Sequence, residues 1–418
     1  MRNVLDIKKE NNLNFILPLK CSLGSDAHIN IDSVIVVIHL HYKDTVNFYM
    51  DYIREIPKDI KILFTTSDPE MAAIIDQLIC NWRDNYQIIL KENRGRDISA
   101  FLVACRREIL KYEYCCFLHD KKEKSVVLQE DVEKWVRSLW ENTVGSEIYI
   151  QNILKTLVSN PQLGILVPPT TLMPHFNMFY ANAWYKNYDL AKKLAEDLGL
   201  RCNLDSSKTP ITIGTVFWAK TSALKKLLQR EWHYDDFLPE PLPGDGTISH
   251  AIERILAYVA QDAGYDTGWI MTDHYASEEF EYIQETLQKA FPILEESFGV
   301  CNVAELDSFD RVNEKLIQFC DVHKKTYIYG KGYYGKRCLS RTRFLRKKVD
   351  AFLVTDPEGV TEFDEIPVYE ISEEYLSEES GVIIAVSHKK QAEILKIIQS
   401  KNAAFSNLYY YDGAWDSN

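Results

Sequence analysis

Short apolar runs alternating with stretches of helical spacing dominate the first part of the chain. Val34-Ile-Val-Val-Ile38 is an unbroken run of β-branched aliphatics, the pattern of a strand covered on both faces. Lys61-Ile-Leu-Phe-Thr-Thr66, Tyr86-Gln-Ile-Ile-Leu90, Tyr114-Cys-Cys-Phe-Leu118 and Gly164-Ile-Leu-Val167 repeat it. Between them the spacing predicts a helix from about Thr45 to Ile56, one opened by Asp68-Pro69, and one from about Ile98 to Lys111. Strands alternating with helices predict an α/β fold: a mostly parallel sheet with helices on both faces.

The pattern lapses and then resumes. Residues 1–30 are polar and irregular and read as an N-terminal arm, followed by an α/β domain over 31–275. Residues 276–322, rich in Glu and Leu at helical spacing, read as a helical connector. A smaller α/β domain follows over 323–418, with strands at Thr326–Tyr329, Ala351–Val354, Pro367–Tyr369 and Val382–Val386 and a helix from about Lys389 to Lys401. At ~150 residues per domain, 418 residues agree with two or three domains.

Composition removes several classes of function. The 48 Lys+Arg against 61 Asp+Glu leave a net charge of −13, which argues against nucleic acid as a partner. No run of 18 apolar residues is present, so a membrane-spanning helix is not expected. The start, MRNVLDIKKENNLNF, lacks the apolar stretch of a secretory signal, and the nine cysteines form no CxxC. The expectation is a protein of the cytoplasm with reduced thiols.

Ligands of open α/β sheets bind beyond the carboxyl ends of the strands. The loops there are His39-Leu-His-Tyr-Lys43, Thr65-Thr66-Ser67, Glu92-Asn-Arg-Gly-Arg-Asp97 and His119-Asp-Lys-Lys122. Each could be a solvated turn, but four in succession gather charge at one rim. The pairs Arg94/Arg96 and Lys121/Lys122 suit a diphosphate.

Four ordered segments carry a resemblance: ENRGRDISAFL (92–102), FLHDKKEKS (117–125), GTVFWAKTSALKKL (214–227) and DGTISHAIERI (245–255). Over roughly residues 30–275 the chain resembles the rhamnan synthesis protein F family. The resemblance implies a GT-A-like glycosyltransferase domain, a deoxythymidine-diphosphate-rhamnose donor and a growing glycan or lipid-linked glycan acceptor. It implies donor contacts from His41, Thr66, Asn93, Arg94, Gly95, Arg96, Asp97, His119, Asp120, Lys121 and Lys122. Asn93 and Gly95 match the turn where backbone approaches the nucleotide; Asp97 is equally well read as a helix N-cap. His119-Asp-Lys-Lys122 stands where many such enzymes carry Asp-x-Asp, so one carboxylate and two ammoniums replace a metal-binding pair. Either Asp120 and His274 hold an optional Mg²⁺ or Mn²⁺, or the lysines neutralise the leaving diphosphate directly. The lysines could also be a solvated turn. No organic cofactor is expected.

Phe217 and Trp218 match the segment beside the acceptor, although core packing explains them equally. His250, Glu253 and Arg254 share a helical face. The resemblance implies Asp245 as general base of an inverting transfer, Glu253 as second candidate, and acceptor contacts from His250 and Arg254. Against this, Asp245 could be an N-cap and Glu253/Arg254 a structural ion pair. Residues 168–180 read as a substrate-lining loop or a plain connection. The rival function is a non-catalytic module that grips a sugar nucleotide or glycan.

In the smaller domain, Gly330-Lys-Gly-Tyr-Tyr-Gly335 follows a strand and precedes a helix, the setting of a nucleotide fingerprint. Gly330, Gly332 and Gly335 are its candidate ligand-binding residues, with Asp350 or Asp356 as the acid some twenty residues on. Readings are a nucleotide site, a scaffold, or a nicotinamide-dependent oxidoreductase. The basic run Lys336, Arg337, Arg341, Arg343, Arg346, Lys347, Lys348 offers peripheral contact with the inner membrane face, unless it is a solvated helix face or pairs with Glu373, Glu374, Glu378 and Glu379. The sequence leaves the oligomeric state open.

Overall fold

The computed structural model describes residues 13–24, 29–122, 129–169, 184–208, 210 and 212–411. The chain divides into two compact units, Met1–Phe280 and Glu281–Asn418.

The first unit is built on an eight-stranded sheet. Its strands are β1 (Asn14–Leu17), β2 (Val34–His39), β3 (Lys61–Thr66), β4 (Tyr86–Leu90), β5 (Tyr114–His119), β6 (Leu163–Val167), β7 (Phe217–Lys220) and β8 (Asp266–Thr272). They lie in the order β1-β8-β6-β7-β5-β2-β3-β4. β7 runs antiparallel to both neighbours and every other pairing is parallel. The strand order reverses between β2 and β5, where His39 and His119 are register partners at the carboxyl ends.

Both faces are covered, which explains the unbroken apolar runs. Val34, Val36 and Ile38 face one core with Tyr49, Met50 and Ile53 of α1 (Val46–Arg54) and Ile75 of α2 (Pro69–Ile79). Ile35 and Val37 face a second core containing Ile98 of α3 (Arg96–Ser99) and Ile109 of α4 (Arg106–Ile109). The first core also takes α5 (Gln129–Val144) and α6 (Glu147–Ser159); the second takes α7 (Tyr188–Asp197), α8 (Lys225–Gln229) and α9 (Ile248–Asp262).

Three features depart from the sequence reading. The stretch 98–111 is not one helix: between α3 and α4 the Cys105 amide donates to the Ala100 carbonyl five residues back, forming a π turn. Within the polar N-terminal stretch, Asn14–Leu17 is a strand paired with β8 rather than part of an irregular arm. α10 (Asp273–Phe298) begins at Asp273, directly after β8, earlier than the connector predicted.

In the second unit, α11 (Val303–Asp307) and α12 (Phe309–Val322) precede a six-stranded sheet. Its elements are β9 (Lys325–Tyr329), α13 (Tyr333–Phe344), β10 (Ala351–Val354), β11 (Glu362–Phe363), β12 (Ile366–Glu370), β13 (Ser380–Ile384), α14 (His388–Lys401) and β14 (Leu408–Tyr410). The order is β11-β12-β10-β9-β13-β14, antiparallel only between β11 and β12. The basic run does not form one cationic surface. Arg337 and Arg341 are buried. Arg337 pairs with Glu305, Arg343 with Asp364 at 2.7 Å, and Lys347 and Lys348 with Asp321 and Asp350 at 2.5 Å each.

Candidate functional site

The strand-order reversal gathers the polar residues. His39 ends β2, buried, with Nδ1 3.0 Å from the Thr65 hydroxyl. Burial, helped by the Lys91 ammonium, pulls its pKa down to about 3, so the ring is neutral. His119 ends β5. Its Nε2 lies 2.8 Å from the Gly214 carbonyl and 3.6 Å from Asp97 Oδ2. Its Nδ1 lies 3.1 Å from the Asp120 carbonyl, so each ring nitrogen faces an oxygen that can only accept. Burial lowers the His119 pKa as well.

Asp120 follows β5 and folds back under the loop after β2. Its Oδ2 accepts from the His41 and Tyr42 amides, both at 2.7 Å. Burial raises its pKa to about 7 against the pull of these two bonds, with the Asp97 charge adding to the rise. Asp97 behaves in the opposite way. Burial works to raise it, but the His119 ring and the Lys121 ammonium hold it below its ordinary value. Asp97 is not the cap: the residue at the N-cap position of α3 is Gly95.

Lys121 is fixed at both ends. Its amide donates to the Tyr49 hydroxyl at 3.0 Å, and its Nζ stands 4.7 Å from the Trp135 ring centre. Burial lowers its pKa although Glu253, Asp97 and Asp120 surround it. Lys122 is different: exposed and paired with Asp44, it lies outside this nest.

α9 supplies the opposite wall. Thr247 caps it, accepting from the His250 amide, and its hydroxyl also meets His250 Nδ1 at 2.7 Å. Asp245 is thus not the cap. It accepts from the Lys186 amide at 3.0 Å and the Asn187 side-chain amide at 2.6 Å. Burial opposes, but these donors hold Asp245 below its ordinary pKa, so it is ionised at neutral pH. Glu253 accepts from the Gly214 amide and lies 3.4 Å from Arg254. Glu253 therefore fixes Gly214, Gly214 fixes His119, and His119 faces Asp97. The fields of Asp245, Asp97, Glu253 and Arg254 all reach His250, whose pKa burial lowers.

Several expected contacts take other roles. Arg94 is a clip: its Nε donates to the Phe237 carbonyl and its guanidinium to Asp235, both at 2.6 Å. Gly95 is required by packing, since φ is 73° and a Cβ would meet the Phe237 ring at 2.6 Å. Arg96 reaches Glu240 at 3.3 Å and remains half-exposed at the rim. The side chain of Asn93 lies 3.4 Å from Ser67, and the hydroxyl of buried Thr66 accepts from the Asp68 amide. His41 contributes its amide, while its ring packs edge-on against Tyr42.

Phe217 and Trp218 are core residues and offer no face to a sugar. Both are buried, Phe217 against Phe101 and Phe117, and Trp218 donating to the Thr143 carbonyl at 2.9 Å. Arg254 is likewise buried, donating to the His250 carbonyl at 3.1 Å. His274 lies 3.0 Å from Glu141 and 3.7 Å from Glu278, after β8, whereas Asp120 follows β5. Among the described residues no three His, Cys, Asp or Glu are grouped to hold a metal ion. The segment 170–180 lies outside the described residues. Gly330, Gly332 and Gly335 belong to the second unit.

The residues missed are His39, Lys91 and Asn187. His39 was in view in its loop, and its signal was position: it ends the strand, whereas His41 is two residues beyond. Asn187 lies far from Asp245 in sequence and left no local sign.

The rhamnan synthesis protein F model matches residues 1–265, so the chain belongs to that family, which serves polysaccharide synthesis. The chain is also 29% identical over 238 residues to the "Uncharacterized protein WxcX" of two strains of Xanthomonas campestris pv. campestris. That match covers 56% of this chain and 32% of each relative, so the chain spans about a third of their length. Among the described residues no helix is long and apolar enough to cross a membrane.

Proposed function

We propose that the first unit is an inverting, GT-A-like glycosyltransferase that moves rhamnose from deoxythymidine-diphosphate-rhamnose to a growing cell-surface polysaccharide. One observation carries the reading: Lys121 follows β5 at the strand-order reversal, where the charges of Glu253 and Asp97 act on it, and those of Glu253 and Asp245 act on His250. A single displacement needs a cation where the diphosphate leaves and a carboxylate where the acceptor hydroxyl loses its proton. The family supplies the glycan context, and the sheet, with one reversed strand beside β5, supports the GT-A comparison.

In this reading Lys121, with Arg96 at the rim, neutralises the leaving diphosphate. Asp245 takes the acceptor proton. Its two hydrogen bonds use one lone pair on each oxygen and leave another free. Glu253 is a positioning residue, acting through Gly214 and His119. In this reading Mg²⁺ or Mn²⁺ takes no part: Asp120 spends Oδ2 on two amides, and His274 is engaged by Glu141.

The rival reading, binding without turnover, draws on the occupied Asp245 oxygens. Release of deoxythymidine diphosphate from deoxythymidine-diphosphate-rhamnose, measured with rhamnan oligosaccharide as acceptor, separates the two. Transfer should be observed and should fall about 10²–10⁴-fold in Asp245→Asn with donor affinity kept. Equal turnover in the variant removes Asp245 as the base. Donor binding without turnover in the unaltered chain supports the rival.

A further inference from the structure

The glycine motif of the second unit has no part in the site above, yet its surroundings have the form of a nucleotide site. β12, β10, β9, β13 and β14 are parallel neighbours in that order. The chain leaves β9 towards β10 and later returns to β13 on the other side. The strand order therefore reverses between β9 and β13, where open parallel sheets hold ligands.

The three glycines have three different reasons. Gly330 has φ of 103°, and a Cβ there would meet the Ala385 carbonyl at 2.9 Å. A Cβ on Gly335 would meet the Gly330 carbonyl at 1.9 Å, so Gly335 lets α13 close on the turn. Gly332 has neither reason. Its φ is −85°, open to any residue, and a Cβ there would meet nothing within 4 Å. Nothing in the described protein requires glycine at 332; a ligand backbone pressed against it would.

Other features lie in the elements that follow β9, β10 and β13. Gly332 and Ser387, at the N-cap positions of α13 and α14, supply no side-chain cap, so both helix starts face the same sheet edge without one. Gln391, in the first turn of α14, has a buried Nε2 with no hydrogen-bond partner among the described residues. Of the two candidate acids, Asp350 precedes β10 and accepts from the Thr326 amide at 2.9 Å, at the opposite edge. Asp356 lies just past the carboxyl end of β10. Lys331 donates to the Pro357 carbonyl at 3.0 Å and so ties the Asp356 loop to the glycine loop.

We propose that the second unit binds a ribonucleoside diphosphate group, with the diphosphate against Gly332 and the start of α13 and the ribose diol on Asp356. Dinucleotides and nucleotide sugars share this group. A carboxylate at that position accepts from a free diol and repels a 2′-phosphate.

Calorimetric titration of the full chain with ADP, 2′-deoxy-ADP, NAD⁺ and UDP-glucose tests it. ADP should bind, and the NAD⁺ and UDP-glucose arms identify which source of the group is preferred. 2′-Deoxy-ADP should bind at least about tenfold more weakly. Gly332→Val should abolish binding while leaving thermal unfolding unchanged, because a Cβ there meets nothing within 4 Å. Lys121→Ala, in the first unit, should leave ADP affinity unchanged. Failure of ADP, NAD⁺ and UDP-glucose to bind at millimolar concentration overturns the proposal. So does ADP binding that survives Gly332→Val, or that Lys121→Ala removes. Equal affinity for 2′-deoxy-ADP removes Asp356 from it.

Discussion

Asp120→Asn should make the first unit more stable, and increasingly so as pH rises. Asp120 is 5% exposed, and burial lifts its pKa from 3.8 to about 7. A folded-state pKa above the unfolded value means that the native protein binds the proton more tightly. The stability this contributes is present below about pH 4 and is lost as pH rises through about 7. A difference of about 3 pH units at about 1.4 kcal/mol each sets an upper limit of about 4 kcal/mol. Asparagine removes the charge while its carbonyl oxygen can still accept the His41 and Tyr42 amides, which both reach the same carboxylate oxygen. His39, with its pKa near 3, contributes with the opposite sign: its stabilisation is present above about 6.5 and lost on acidification. That contribution is common to both proteins and cancels in the comparison. Urea denaturation followed by tryptophan fluorescence reports on this unit, since the buried Trp140, Trp184 and Trp218 all lie in it. The advantage of the variant should widen by about 2–4 kcal/mol between pH 4 and pH 7 and then level off. Parallel stability curves, or an advantage that shrinks with pH, would refute a buried, proton-holding Asp120.

Three further outcomes follow from the same geometry. Lys121→Ala should weaken donor affinity at least about tenfold, whereas Lys122→Ala should change it less than about twofold; equal effects in titration would contradict the separation of the half-buried lysine over Trp135 from the exposed, Asp44-paired one. Trp218→Ala should lower unfolding stability by about 3–5 kcal/mol, as for a core tryptophan; a selective rise in acceptor KM with stability unchanged would return it to the substrate. Gly95→Ala should cost at least about 1–2 kcal/mol through its left-handed backbone and the Phe237 ring; a thermally neutral variant would sink the packing argument.

Much of this fold is legible because parallel strands buried on both faces write themselves as unbroken apolar runs. Val34–Ile38, Lys61–Thr66 and Tyr86–Leu90 fall within or on the observed strands. β1 stayed hidden because only Leu17 of its four residues is buried, so an edge strand looks like a polar arm. The break in 98–111 depends on one misplaced backbone bond and has no composition of its own. The site was legible by place rather than by role. The loops after β2, β4 and β5 do converge, but which charge points inward depends on partners far along the chain. Arg94 and Arg96 look alike in sequence; Asp235 and the Phe237 carbonyl make the first a clip. Phe217 and Trp218 suggested stacking because aromatic residues serve cores and sugars alike, and only burial separates the two.

The central claim is that the β2/β5 edge holds a nucleotide-diphosphosugar by protein cations. Its most direct test is calorimetric titration of the full chain with deoxythymidine-diphosphate-rhamnose, in Mg²⁺ and in chelator. The account predicts saturable binding of equal strength in both, weakened at least about tenfold by Lys121→Ala and unaffected by Gly332→Val. Binding that disappears in chelator, or that Lys121→Ala leaves intact, would contradict it.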